Sequence, residues 1–419
     1  MTEKRRPAKH PETGGGTRHA GRGRSAPLDF EKAPFLVIWE TTQACGLACR
    51  HCRAEAVPHR HPLELTTEEA RDLLDQVRSF GPIIFVFSGG DCLKRPDLEE
   101  LVEYGAGLGL RMAATPATTS LATPERIRAL AEAGLTRLAV SLDGPDAVTH
   151  DAFRRVSGSF DHGLRILQTA RDLGMSTQVN TVVARHNLGQ LGTMAHLLGE
   201  VGIVFWEVFF LVPVGRARPE DVASADEFEE VFHRLYDLSR EVPFDLKATA
   251  APQFQRVVIQ RKVAERRAGR RAEVDSLTDG VGFSEQDGIG RARNVNDGDG
   301  FVFVSHTGDI MPSGFLPVAA GNLRTHGLRE VYRESPLFRQ LRDRSLLAGK
   351  CGVCEFRPVC GGSRARAHAV TGDWLEAEPY CAHVPERYRK MVESGQAEPV
   401  AEYFRNRTNR KARSLPVFG

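Results

Sequence analysis

The chain has 419 residues, eight of them cysteine, and its 56 basic and 54 acidic side chains leave a net charge of +2. That balance argues against nucleic acid as a partner, and no apolar run is long enough to span a membrane. Residues 1–33 are basic and glycine-rich, without the apolar core of a secretory signal, so a disordered tail and a cytoplasmic location are expected.

The first apolar run, Phe35 to Trp39, reads as a strand, and Cys45, Cys49 and Cys52 follow it in WETTQACGLACRHC. Three thiolates at C-x3-C-x2-C spacing can wrap a four-iron four-sulfur cluster while leaving one iron open to a small molecule. A zinc knuckle using His51 is the alternative, but His51 adjoins Cys52 and would have to reach the same metal from the next residue. Disulfides do not suit so sparse and clustered a set. Thr66 or Thr67, followed by Glu68 and Glu69, starts an amphipathic helix running to Phe80. Ile83 to Phe87 is a second strand and ends in Ser88-Gly89-Gly90-Asp91, a turn whose glycines alone need only satisfy backbone geometry.

Further strands follow at Leu110 to Ala114, Leu138 to Leu142, Gln178 to Val183 and Val204 to Leu211, with a helix from Pro124 to Ala133 started by Thr123. Strands alternating with helices imply a parallel sheet covered by helices, and a doubly wound sheet or a barrel both satisfy the pattern. Asp226 to Val242 and Phe254 to Glu273 read as helices, the second with Arg261, Lys262, Arg266, Arg267, Arg270 and Arg271 on a solvated face. Thr278 to Gly300 reads as a loop or lid leading into a strand, Phe301 to Ser305, and a hairpin turning at Thr307-Gly308-Asp309.

Near the C-terminus, Cys351, Cys354, Cys360 and Cys381 give C-x2-C-x5-C-x20-C. This spacing suits a tetrahedral zinc site and a fully ligated four-iron cluster equally. Cys92 reads as a small packing residue. Arg364 and Arg366 read as loop-packing side chains, with contact to substrate carboxylates as the alternative.

The cysteine loop and the Gly89-Gly90-Asp91 turn resemble the cluster loop and GGE-type turn of radical S-adenosylmethionine (SAM) enzymes. The segment from Cys351 to Cys381, with its CGGSRARAHAVTGD, is similar to the auxiliary-cluster region of their SPASM and Twitch subfamilies. The resemblance covers most of residues 35–385 and implies an α/β fold, a partial (β/α)6 TIM-like barrel with a C-terminal auxiliary-cluster module. It implies a barrel over 34–218, a helical and loop connection over 219–300, the SPASM/Twitch module over 301–395 and a basic tail over 396–419.

It also implies a 4Fe-4S cluster on Cys45, Cys49 and Cys52 that binds SAM, with Gly89, Gly90, Asp91, Ser141 and Asn180 as SAM contacts and Asp143 and Glu207 as further candidates. No residue is singled out as catalytic. A second 4Fe-4S cluster on Cys351, Cys354, Cys360 and Cys381 has no open iron, which suits electron transfer. Ser313 stands where relatives with two auxiliary clusters often carry a cysteine, so one is expected here, with His306 an ordinary hairpin residue rather than a ligand.

The implied activity is that of an oxidoreductase generating a 5′-deoxyadenosyl radical from SAM, fed by a reductant such as flavodoxin or ferredoxin. The branch resembled includes haem d1 and alternative haem biosynthesis enzymes, which act on tetrapyrrole side chains, including oxidative decarboxylation of propionates. A maturase of a ribosomally made peptide and a non-enzymatic zinc-binding interaction protein are the alternatives. Ala382 and His383 depart from relatives that often carry an aromatic residue there.

Overall fold

In the computed structural model, residues 29–81, 83–269 and 295–414 are described. The expected tail over 1–28, the helix end over 270–273, the loop over 278–294 and residues 415–419 lie outside them.

The six apolar runs are strands: β1 Leu36–Glu40, β2 Ile84–Ser88, β3 Arg111–Ala114, β4 Arg137–Ser141, β5 Ser176–Val183 and β6 Phe205–Phe210. They lie parallel in chain order, connected through α1 Thr67–Arg78, α2 Leu98–Gly107, α3 Pro124–Glu132, α4 Ala147–Arg154, α5 Ser159–Asp172 and α6 Leu191–Val201. Local chemistry sets the helix starts. The Thr66 hydroxyl accepts the Glu69 N–H while the Glu69 carboxylate accepts the Thr66 N–H, and Thr123 caps α3 ahead of Pro124.

Two more parallel strands extend the sheet: β7 Asp245–Thr249, which the sequence reading lacks, pairs with β6, and β8 Phe301–Val304, the strand expected over Phe301 to Ser305, pairs with β1. Between β7 and β8 no ladder forms among the described residues, so the eight parallel strands make an arc with one open seam, the partial barrel that the resemblance implied. The antiparallel strands β9 Asp309–Met311 and β10 Gly321–Asn322 continue from β8 through the expected hairpin. α7 Ala225–Leu238 and α8 Gln253–Arg267 flank β7.

The remaining helices are α9 Leu328–Glu334, α10 Pro336–Arg342, α11 Gly349–Gly352, α12 Arg364–Thr371, α13 Glu386–Glu393 and α14 Val400–Ser414. The segment read as a C-terminal tail is therefore largely helical, and α14 packs on the module through Arg407, whose Nε lies 3.0 Å from Glu376 Oε1. No described helix is long and apolar enough to cross a membrane.

Pleating sorts the strand residues between two environments. Trp39, Phe87, Met112, Leu138, Val179 and Val208 are fully buried in the hydrophobic core that the covering helices share, while alternate residues line the interior of the arc. Both faces of each strand are thus enclosed, as parallel sheets require.

Arg366 and Glu378 are both fully buried and paired, Nε to Oε1 at 3.0 Å. Glu378 also accepts the N–H groups of Ser363 (2.8 Å) and Tyr380 (3.0 Å), and Arg366 Nη1 donates to Phe210 O at the end of β6 (3.3 Å). Arg364 Nη1 donates to the carbonyls of Trp374 and Glu376 at 2.8 and 2.7 Å. Both arginines pack loops, and neither lines the cavity. Arg366→Ala leaves Glu378 as a buried unpaired charge and is expected to cost about 3–5 kcal/mol, read as a lowered urea midpoint. The double change Arg366→Met with Glu378→Leu is expected to recover part of that loss.

Candidate active site

A cavity of about 330 Å³ occupies the interior of the arc and reaches the carboxyl ends of the strands, where α/β barrels collect their reactive groups. Strand register sets its polar wall. Ser141 on β4 stands opposite Asn180 on β5, Asn180 opposite Glu207 on β6, and Glu207 opposite Lys247 on β7, so one row of four polar side chains crosses four strands. Gln178 Nε2 donates to Asn180 Oδ1 at 2.7 Å and to Glu207 Oε2 at 2.8 Å. Lys247 Nζ and Thr249 Oγ1 donate to Glu207 Oε1 at 3.0 and 2.5 Å. Glu207 is therefore occupied by the wall itself, whereas Ser141 and the Asn180 amide nitrogen keep bonding capacity for a ligand.

At the mouth, the cysteine loop follows β1. Each of its three sulfurs receives a donor: Leu47 N–H to Cys45 Sγ at 3.3 Å, Arg154 Nη1 to Cys49 Sγ at 3.6 Å and Ala56 N–H to Cys52 Sγ at 3.4 Å. Donors aimed at sulfur favour thiolates, and none of the eight cysteines forms a disulfide. Burial pushes the Cys45 thiol up to about 11. Three such thiolates fit a four-iron cluster lacking one protein ligand.

Gly89 and Gly90 press directly on this loop. A Cβ on Gly89, at φ +144, would stand 2.5 Å from Thr42 O, and one on Gly90 would stand 2.5 Å from Ala44 O. Gly90 N–H donates to Thr42 O at 2.7 Å and Asp91 N–H to Ala44 O at 2.8 Å. Glycine is required by these backbone contacts. Gly89, Gly90, Ser141 and Asn180 line the cavity, but Asp91 does not. Its buried carboxylate faces the frame instead, accepting Thr119 Oγ1 at 2.6 Å and the Leu93 N–H at 3.2 Å, and burial raises its pKa.

Asp143 is likewise off the cavity wall. Fully buried, it pairs with Arg154 Nη2 at 2.6 Å and accepts the Val182 N–H at 2.8 Å. Burial alone would raise this carboxyl, but Arg154, the neighbouring His51 and His150 and the Val182 N–H together hold it below the usual range. Asp143 thus steadies the guanidinium that donates to Cys49. Arg154 itself escaped the sequence reading, because an arginine in the last turn of an amphipathic helix looks solvated.

His51 stacks on Phe153, ring centroids 4.3 Å apart and 4° from parallel, and burial pushes it down to about 3. His306 Nδ1 lies 3.0 Å from Glu40 Oε1, and Arg53 Nη1 donates to Glu40 Oε2 at 2.8 Å. Both the histidine and Ser313, whose hydroxyl donates to Asp297, have structural partners. Cys92 is fully buried in the core.

The four C-terminal cysteines line a second, smaller pocket with Arg256, Lys350 and His383. Backbone N–H groups of Glu378, Phe356 and Gly362 donate to Cys351, Cys354 and Cys360 Sγ, each at 3.4 Å. Burial pushes Cys381 up to about 11 and Cys360 higher still. These four sulfurs are the donors that a closed four-cysteine site needs. Cys360 also lines the main cavity, so the two sites share a wall. His383 Nε2 lies 3.0 Å from Glu355 Oε1, and their ligand atoms and that of Cys354 fall within 4.8 Å of one another.

Residues 39–198 match the Radical SAM superfamily. Across 85% of its length the chain is 41% identical to an AdoMet-dependent heme synthase of Methanosarcina barkeri, covering 99% of that protein. The chain belongs to the radical SAM superfamily. A mycofactocin maturase of Mycobacterium ulcerans is 30% identical over 83% of this chain and 88% of its own. Among solved structures, Streptococcus suis SuiB bound to S-adenosylmethionine superposes with a TM-score of 0.62 at 16% identity, covering 84% of this chain and 78% of that one. As a radical SAM enzyme the chain uses a 4Fe-4S cluster and SAM. Membership sets aside the non-enzymatic zinc-binding alternative.

His150 generates a pH prediction. It is fully buried, its Nδ1 accepts the Asp143 N–H at 3.0 Å, and burial pushes it down to about 4. The unfolded chain takes up this proton near pH 6.5, so the stabilising contribution is complete above that value and is lost as pH falls toward 4. Between pH 7 and 5 the wild type should lose about 2 kcal/mol more stability than His150→Gln in urea titrations.

Proposed function

We propose that this radical SAM enzyme acts on a tetrapyrrole, removing the carboxyl group of a propionate side chain as CO2 to leave a vinyl group. The observation that carries the reading is the 41% identity to an AdoMet-dependent heme synthase across nearly all of that relative. The cavity supports it with five cationic side chains, Arg53, Arg137, Arg154, Arg216 and Lys247, suited to an anionic substrate. We assign the first cluster to Cys45, Cys49 and Cys52, the auxiliary cluster to Cys351, Cys354, Cys360 and Cys381, and SAM to the wall formed by Gly89, Gly90, Ser141 and Asn180. When bound, these groups supply a hydrogen-abstracting 5′-deoxyadenosyl radical at the mouth and a one-electron acceptor behind Cys360. Each conversion removes one hydrogen atom, one electron and CO2 from the propionate.

The chain's own residues do the positioning. Arg154, held by Asp143, donates to Cys49; the glycine turn fixes the loop; and the enclosed wall orients the substrate carbon while limiting water. An external one-electron donor such as flavodoxin or ferredoxin is expected to start each cycle.

The test is anaerobic reconstitution followed by SAM, dithionite and iron coproporphyrin III, with deoxyadenosine, CO2 and porphyrin mass as readouts. About eight irons are expected in the wild type and about four when Cys45, Cys49 and Cys52 are all replaced by alanine, with deoxyadenosine formation lost. Wild-type enzyme that cleaves SAM but leaves the porphyrin mass unchanged would overturn the tetrapyrrole reading.

A further inference from the structure

Of the five cations on the cavity wall, four are already engaged. Arg53 pairs with Glu40 at 2.8 Å, Arg154 with Asp143 at 2.6 Å and Lys247 with Glu207 at 3.0 Å. Arg137 donates to Ser176 Oγ at 3.2 Å and Gln178 Oε1 at 3.4 Å. Arg216 differs: it has no carboxylate partner among the described residues, and its one side-chain hydrogen bond there runs from Nη1 to Ala56 O at 3.5 Å.

Its Nε and Nη2 are buried without any hydrogen-bond partner among the described residues. These two nitrogens share one edge of the guanidinium, the fork that accepts both oxygens of a carboxylate. The fork is rigidly mounted. Gly215, at φ +61, lies so close to the cysteine loop that a Cβ would stand 2.5 Å from Cys52 O, and Arg216 N–H donates to that same carbonyl at 3.0 Å. On the same wall, His51 Nδ1 is also buried and unpartnered among the described residues. Folded proteins rarely leave such groups unmet, so a ligand atom is the natural partner.

We propose that Arg216 is the carboxylate receptor of the cavity, gripping a substrate propionate through Nε and Nη2 beside the first cysteine loop, with His51 as a neighbouring polar contact. The proposal rests on the tetrapyrrole reading and deepens it. A carboxylate held in a bidentate ion pair is stabilised as the anion and resists conversion to neutral CO2. Arg216 therefore anchors a propionate that is retained, and so orients the ring to present a different side chain for reaction.

The experiment compares reconstituted wild type with Arg216→Gln and Arg216→Lys. Affinity is measured by absorbance titration for iron coproporphyrin III and for its tetramethyl ester, alongside SAM affinity by equilibrium dialysis and the iron count. Loss of a charged hydrogen-bonded fork should weaken free-acid binding about 10- to 100-fold in Arg216→Gln and leave the ester unaffected. Arg216→Lys should recover only part, because an ammonium lacks the fork. Equal weakening of acid and ester, a matching loss of SAM affinity, or a drop in iron content would overturn the assignment, the last two by naming SAM or the cluster as the true acceptor. Discrimination of acid from ester that survives in Arg216→Gln removes Arg216 alone. A wild type that binds neither compound brings down the tetrapyrrole reading and the receptor with it.

Discussion

Everything at the mouth of the barrel depends on backbone meeting backbone at Gly89 and Gly90. Two hydrogen bonds from the turn, into Thr42 O and Ala44 O, lock the start of the cysteine loop to the end of β2. A side chain at either glycine would occupy space that carbonyl oxygens already fill. The three sulfurs therefore inherit their position from the sheet rather than from loop packing alone. Gly215 repeats the device from the far side of the arc, so the loop is gripped between the ends of β2 and β6. Pre-organisation of this kind lets a ligand-binding loop remain ordered without a large hydrophobic core of its own.

A second layer of control is electrostatic. Asp143 and Glu40 are buried carboxylates, each neutralised by an arginine that also contacts the cysteine loop or follows it: Arg154 donates to Cys49, and Arg53 comes directly after Cys52. In both cases burial alone would favour protonation, and the paired arginine together with neighbouring histidines and hydrogen bonds holds the carboxyl below its usual range. His306, from the β8–β9 hairpin, joins the Glu40 pair and links the C-terminal part of the chain to the loop. Arg366 adds another tie by reaching Phe210 O at the end of β6. The two cysteine sites are thus held in a fixed relation through charged networks as well as through the wall they share at Cys360.

Much of this is legible in the amino-acid sequence. β1 to β6 emerged as short apolar runs between helical stretches, and the first cluster loop emerged because its cysteine spacing is chemically restrictive. β7 was missed for a related reason: Asp245, Lys247 and Thr249 in DLKAT lie on one face of the strand, and Lys247 and Thr249 line the polar cavity, so the segment carries no hydrophobic run. Asp91 and Asp143 sat next to ligand-like motifs and drew attention as contacts, yet strand-end geometry turns both away from the cavity. Arg154 and Arg216 carry no sequence signal at all. Their roles arise from which carbonyls and sulfurs they meet across long separations, information that exists only once the chain is folded.

The open seam between β7 and β8 has an evolutionary consequence. A closed eight-stranded barrel fills its centre with side chains, whereas this arc keeps room for a guest. The cysteine loop follows β1 and Glu207 stands on β6, each one strand in from β8 and β7, the strands that flank the seam. Mutations at the seam therefore bear together on what enters and on the machinery that starts the reaction. Chemistry and guest selection evolve as coupled parts of one scaffold.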